Sequence, residues 1–190
     1  MVENKKIKLA LLGDKKTGKT LFTQYLRGSE LINFDNYIST NGASYIEKKI
    51  IYNNSEYFLD IWDTSGEEKY FALTKFFILE SNMVFIFYDS NNKETFERAK
   101  EYFDLAKEYL NDKKVVFVLV SSKYDLALNS DEENNKDNNN AFNEEEVFEY
   151  AEQNHILLSH ISISEKYSKG IIELFRETFK EYTKKNNIII

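Results

Sequence analysis

Apolar residues fall into short blocks along the chain, and the spacing inside each block predicts its geometry. Residues 7–12 form a short, largely apolar run ending at Gly13, as a buried strand does. Residues 20–27 predict a helix, with Leu21, Phe22, Tyr25 and Leu26 available for packing. Residues 44–52 and 56–62 are strand-like, and the polar Asn53-Asn54-Ser55 between them predicts a hairpin. Residues 83–88 and 115–120 are almost wholly apolar, as strands covered on both faces must be. Residues 156–163 predict one further strand. Between these lie two helical patterns. Over 93–110, Phe96, Ala99, Phe103, Ala106 and Leu110 share one face and the charges lie elsewhere. Over about 169–184, Ile171, Leu174, Phe175, Thr178, Phe179 and Tyr182 recur at helical spacing.

Strands alternating with helices predict an α/β fold. Its sheet is six-stranded and mostly parallel, with helices on both faces, and the hairpin adds one antiparallel edge strand. Residues 129–140 are Asn, Asp, Glu and Lys with one Ser, cannot bury apolar area, and are expected to form a disordered surface insert. The length of 190 residues suits one domain, with a core over about 5–183. Hydrophobic residues make up 42% of the chain, and Phe 15 and Tyr 13 supply much of the surface to bury. The net charge of −7 argues against binding a nucleic-acid backbone, yet allows one nucleotide held by a few local cations. Cysteine is absent, so disulfides and thiolate metal sites are excluded. No apolar run approaches the roughly 20 residues of a membrane helix. A monomer in the cytoplasm is the expectation, peripheral to membranes only through partners.

Gly13-Asp14-Lys15-Lys16-Thr17-Gly18-Lys19-Thr20 matches the phosphate-loop pattern G-x-x-x-x-G-K-[ST], and it follows a strand and opens a helix. Loop and helix-terminal N–H groups turn inward onto anionic phosphate. The glycines allow the close approach. Lys19 would reach the β- and γ-phosphates, the Thr20 hydroxyl would coordinate magnesium, and Leu21 continues the binding segment into the helix. The bland alternative is a glycine turn between strand and helix. Asp63-Thr64-Ser65-Gly66 follows a strand: Asp63 can hold magnesium through water, and the Gly66 N–H can meet a γ-phosphate. Its alternative is a capped turn. Ser122-Lys123-Tyr124-Asp125 follows another apolar strand, and the Asp125 carboxylate can accept both N–H donors of guanine, a pair that adenine lacks; a plain surface loop is the alternative. After the last strand, Ser164-Glu165-Lys166 can offer a backbone N–H to the guanine O6.

In this order the motifs resemble those of Ras-superfamily small GTPases, across about 5–183, and the resemblance is strongest to the Rab branch. Tyr37-Ile38-Ser39-Thr40 is similar to the end of the Rab first switch, whose threonine binds magnesium. Trp62-Asp63-Thr64-Ser65-Gly66-Glu67-Glu68-Lys69-Tyr70 is similar to the Rab second switch, W-D-T-A-G-Q-E-R-F. Tyr45, Trp62 and Phe77 match the aromatic triad that Rab effectors read; ordinary packing is the alternative. The resemblance implies a P-loop NTPase fold of the small G-domain type and binding of GTP and GDP. It implies Mg²⁺ held by Thr20, Thr40 and Asp63, contacts from Tyr37, and exchange factors, activating proteins and effectors acting at the switches.

Several positions depart from that pattern. Lys15 stands where a small residue is usual: a cation there either stabilises γ-phosphate charge or blocks attacking water, and Lys16 adds another nearby. Glu67 stands where glutamine orients that water. An ionised glutamate only accepts hydrogen bonds, so with Lys19 it is either a catalytic candidate or a plain exposed carboxylate. Ser122 replaces the asparagine that ties the base loop to the phosphate loop, while Lys123-Tyr124-Asp125 is similar to the septation GTPases, which lack lipid anchors. The stretch between Lys19 and Thr40 is longer than in typical Rabs, leaving Phe34 as the candidate for stacking on the base and Leu31 as its rival. The chain carries no cysteine for prenylation and Val2 rather than a myristoylation glycine, so no direct lipid anchor is expected in it. His155 and His160 are expected to be structural. Two rival functions stand beside a slow GTPase switch in vesicle traffic: a GTP-binding module with little hydrolysis, and a P-loop kinase or ATPase.

Overall fold

The computed structural model describes residues 5–28, 43–66, 71–110, 114–125, 144–163 and 168–188. Its centre is a six-stranded sheet formed by β1 (Lys5–Gly13), β2 (Ala43–Tyr52), β3 (Ser55–Thr64), β4 (Met83–Asp89), β5 (Val116–Ser122) and β6 (Leu157–His160), in the spatial order β2-β3-β1-β4-β5-β6. Only the β2–β3 pair is antiparallel. Asn53 and Asn54 make the tight connection, both with left-handed φ (46° and 59°), and Ser55 already pairs with Tyr52. A two-residue turn with positive φ at both positions matches strand twist, and asparagine tolerates that region.

Among the described residues five helices flank the sheet: α1 (Lys19–Arg27), α2 (Phe71–Ile78), α3 (Lys93–Tyr109), α4 (Glu144–Gln153) and α5 (Ile171–Lys185). Alternation along the strands divides the core between two layers. Ile7, Leu9, Leu11, Phe85, Phe87, Val118 and Val120 face α1 and α5, meeting Phe22, Phe175 and Phe179. Leu12, Val84, Ile86, Tyr88 and Leu119 face the other way, onto Phe96, Phe103 and Val147. The unbroken apolar runs of β4 and β5 have this cause: neither face sees water.

The architecture agrees with the sequence-based expectation, and the differences are local. Helices α2 and α4 were not foreseen. Over 71–78 nearly every residue is apolar, so no helical stripe stands out, and α4 buries only Val147 and Ala151 beneath an acid-rich surface. The strand expected over 156–163 ends at His160. Ser162–Ile163 (β7) instead pairs antiparallel with Ser168–Lys169 (β8), which also delays the last helix to Ile171. Gly170 makes this turn, at φ +84°, packed so closely that a Cβ would lie 2.1 Å from the His160 carbonyl oxygen. The expected insert at 129–140 lies outside the described residues.

Phe179 anchors the α5 layer, completely buried, with Tyr52 stacked at 5.4 Å and Tyr57 edge-on at 5.1 Å. Phe179→Ala is expected to lower unfolding free energy by about 3–5 kcal/mol, the usual cost of emptying a buried aromatic site. Urea unfolding followed by circular dichroism checks this; a loss below about 1 kcal/mol would show the ring is not a core anchor.

Candidate functional site

In a mostly parallel sheet the C-terminal ends of the strands gather on one edge, and ligands bind there. Here that edge brings together Gly13, Asp63, Asp89 and Ser122. Gly13 ends β1 at φ +130°, and a Cβ on it would sit 2.3 Å from the Phe87 carbonyl oxygen, so only glycine lets β1 lie this close to β4 as the loop departs. The loop runs through Asp14 to Thr17 with Lys15 and Lys16 exposed, and Gly18 enters α1 in a left-handed conformation, φ 89°. Gly18 gives α1 no side-chain cap, so the first-turn amides face the loop interior without a competing side-chain acceptor. Thr17, fully buried, donates to the Asp14 carbonyl at 2.8 Å, and the Lys15 amide donates to Asp14 Oδ1 at 2.7 Å.

Lys19 opens α1 and turns back beneath the loop. Its Nζ donates to the Gly13 and Asp14 carbonyls at 2.7 and 2.8 Å, and only 5% of the residue is exposed. Burial pushes its pKa down to about 8, against the opposing pull of Asp63 and Asp14. Asp63, at the end of β3, is 1% exposed. Burial raises its pKa, while hydrogen bonds from Thr20 and Thr23 and the charge of Lys19 oppose the rise. Its Oδ1 is buried with no hydrogen-bond partner. An orphaned carboxylate oxygen beside a threonine hydroxyl suits a hard cation, which prefers oxygen ligands. Among the described residues no group of three or more His, Cys, Asp or Glu is arranged to hold a metal. Leu21 follows on α1, partly buried. Gly66 packs against the phosphate loop, where a Cβ would lie 2.3 Å from the Lys15 nitrogen.

The base side is built from β5. Ser122 is 4% exposed and donates its hydroxyl to the Tyr88 carbonyl at 2.9 Å. A hydroxyl has one proton to give. Ser122 therefore lies alongside Gly18 without using that proton on the phosphate loop. Lys123 has a left-handed φ of 56°, and its Nζ pairs with Asp89 at 2.6 Å. The Asp125 amide donates to Ser162 Oγ at 3.0 Å. Tyr124 stacks on His160 at 4.5 Å, and burial lowers the His160 pKa. Sequence reasoning did not name Asp89, Thr23 or Ser162; only the position of Asp89 at the end of an apolar run hinted at it.

Tyr45, Trp62 and Phe77 do form one surface. Tyr45 and Trp62 are cross-strand partners with rings 5.3 Å apart, and Phe77 approaches Trp62 at 5.7 Å. Tyr45 is 46% exposed, and its hydroxyl, donating to Asp60 at 2.7 Å, has its pKa pushed up to about 12 by that bond. Phe34, Tyr37, Thr40, Glu67, Ser164, Glu165 and Lys166 lie outside the described residues.

Comparison with known proteins agrees with this geometry. The Ras family model matches residues 8–184. Ras-related protein Rab-21 of Geodia cydonium is 33% identical over 181 residues, covering 95% of this chain and 72% of the relative. Ras-related protein Rab-5A of Dictyostelium discoideum is 31% identical over 188 residues, covering 97% and 86%. Ras-related protein Rab-21 of Homo sapiens is 31% identical over 173 residues, covering 91% and 70%. The chain therefore belongs to the Ras family of small GTPases. Within that family it is Rab-like, of a class that binds guanine nucleotide and Mg²⁺ and works through regulators and effectors. Among the described residues no helix is long and apolar enough to cross a membrane.

The lowered Lys19 pKa predicts a pH dependence. In nucleotide-free protein between about pH 8 and 10.5, Lys19 is protonated when unfolded and neutral when folded. The unfolded state then binds more protons, so this group's contribution to stability rises with pH, by up to about 3 kcal/mol. Denaturant unfolding of wild type and Lys19→Met across this range should show the rise only in wild type; parallel profiles would contradict it.

Proposed function

We propose that this chain is a guanine-nucleotide switch that hydrolyses GTP slowly without help and acts as a Rab-like regulator of vesicle traffic. The observation that carries the reading is the buried Lys19 ammonium, held on the Gly13 and Asp14 carbonyls at the uncapped start of α1. An ammonium desolvated this far gains most from a nearby polyanion, and loop and helix-terminal amides face the same space.

In this reading the amides from Asp14 to Leu21 cradle the phosphates and Lys19 bridges the β- and γ-groups. Binding restores full charge to Lys19, so uptake above about pH 8 draws in a proton. Thr20 and Asp63, with Thr40, would hold Mg²⁺, which when bound neutralises phosphate charge. Asp125 selects guanine, Ser122 and Lys123 shape its pocket, and Ser164, Glu165 and Lys166 close the O6 side. Phe34 and Tyr37 cover the nucleotide. Thr40 and Gly66 move with the γ-phosphate, and effectors and exchange factors read the outcome at Tyr45, Trp62 and Phe77. Glu67 positions the attacking water. A second reading, a GTP-binding module with little turnover, is favoured by one observation: Lys15 is exposed on the phosphate loop with its amide fixed by Asp14.

Titration with GDP, GTP and ATP in Mg²⁺, together with chromatography of any nucleotide released from purified protein, tests the core of this proposal. Guanine nucleotides should bind at least about 100-fold more tightly than ATP, and Lys19→Ala should lose at least about 100-fold for GDP, on the scale of a charge-assisted phosphate contact removed from a buried site. Equal binding of ATP, or unchanged affinity in Lys19→Ala, would refute it. Single-turnover hydrolysis, with and without an activating protein, separates the switch from the non-hydrolysing module.

A further inference from the structure

The base loop lacks the tie to the phosphate loop that asparagine would supply at Ser122, yet it is not loose. Among the described residues, the side-chain holds on its first two residues come from the β4–α3 corner. The Ser122 carbonyl accepts from the Ser90 amide at 3.1 Å and the Ser90 hydroxyl at 2.9 Å. Lys123 is gripped at both ends. Its carbonyl accepts from Asn91 Nδ2 at 3.3 Å, and its ammonium pairs with Asp89 Oδ2 at 2.6 Å. Asp89 is itself fixed. Its Oδ1 accepts from the Asn91 amide at 3.0 Å, its own amide donates to Thr95 Oγ1 at 2.9 Å, and its side chain is only 14% exposed.

This corner acts where the loop turns sharply, at Lys123. Lys123 has φ 56°, a conformation unfavourable for a non-glycine residue that persists only where surroundings impose it. The turn at Lys123 aims Asp125, two residues on. Release of Lys123 would let the backbone relax toward ordinary φ and swing that carboxylate away from its bearing. Further on, the Tyr124 amide donates to the Ile161 carbonyl at 3.4 Å and the Asp125 amide to Ser162 Oγ at 3.0 Å; both hold the chain after the turn, whereas the turn itself is held at Lys123.

We infer that Asp89, assisted by Asn91, is a positioning residue for base recognition: it holds Lys123 in its left-handed turn and so sets the aim of Asp125 at guanine. The inference rests on the guanine-site reading above. It separates two functions along the edge, with phosphate held by the loop around Lys19 and base selection held by the corner after β4.

The test is the rate of GDP release, with the GDP-over-ADP preference, for wild type, Asp89→Asn, Lys123→Met and the double variant. Asp89→Asn keeps the shape and an oxygen for the Asn91 amide while removing the charge. Each single change should speed GDP release about fivefold, allowing for the partial exposure of Lys123. Each should also shrink the GDP-over-ADP preference by a similar factor, and the double variant should be no worse than either single, because both remove one interaction. Generic destabilisation would leave the preference unchanged. GDP release and preference within about twofold of wild type in folded Asp89→Asn, or effects that simply multiply in the double variant, would overturn the inference. Should Asp89→Asn not fold, Asn91→Ala, at an exposed side chain, decides by the same thresholds. Wild type that takes up no GDP defeats the guanine-site reading and this inference together; wild type that binds while the variants match it defeats this inference alone.

Discussion

The burial of the Lys19 ammonium constrains everything around it. A charge so far from water must be met by oxygen, and the Gly13 and Asp14 carbonyls can meet it only because the chain between β1 and α1 folds back over the lysine. That path demands glycine at both of its ends. At Gly13 a Cβ would strike the Phe87 carbonyl, and at Gly18 the backbone is left-handed. The same path forces Asp63 to end its strand beside the lysine, where its second oxygen stays unpaired. The electrostatic economy of the edge is thus one arrangement of a buried cation, a buried anion and inward-facing amides, set by how closely β1, β3 and β4 can approach.

The sheet makes that approach dependable. With β4 and β5 covered on both faces, their ends cannot drift without disturbing two packed layers. Functional residues sit at or beside those rigid ends: Asp63 next to last on β3, Asp89 last on β4, Ser122 last on β5, and Lys123 one position beyond it. A side chain placed there inherits the strand's precision while its atoms face the edge, the condition a preorganised site requires.

Much of this was legible in the sequence because the pattern and the physics are one statement. A short β-branched and aromatic apolar run such as 83–88, within an alternation of strands and helices, reads as a strand covered on both faces, and a stripe such as that of Phe96, Ala99 and Phe103 reads as a helix facing a core. The phosphate loop was readable because its glycines answer to backbone geometry and its lysine to charge. Less was readable where tertiary context decides. Helix α2 carries too many apolar residues to show a stripe, and α4 too few. The break after His160 depends on a pairing with Ser168–Lys169 that no local signal announces. Asp89 looked like the polar end of a strand, because its partner lies 34 positions away and an ion pair leaves no periodicity. The loss of asparagine at position 122 was visible, but the compensating grip of Ser90 and Asn91 was not.

The division of the interior into two layers has a consequence for how such a chain can change over time. The strands present alternate side chains to separate helix layers, so a volume change among Phe22, Phe175 and Phe179 is absorbed on that side, and the ridge of Phe96 and Phe103 need not follow. Each layer can explore replacements on its own account, and the sheet between them acts as a partition. A chain built this way can therefore keep one edge chemistry while its two interiors change separately.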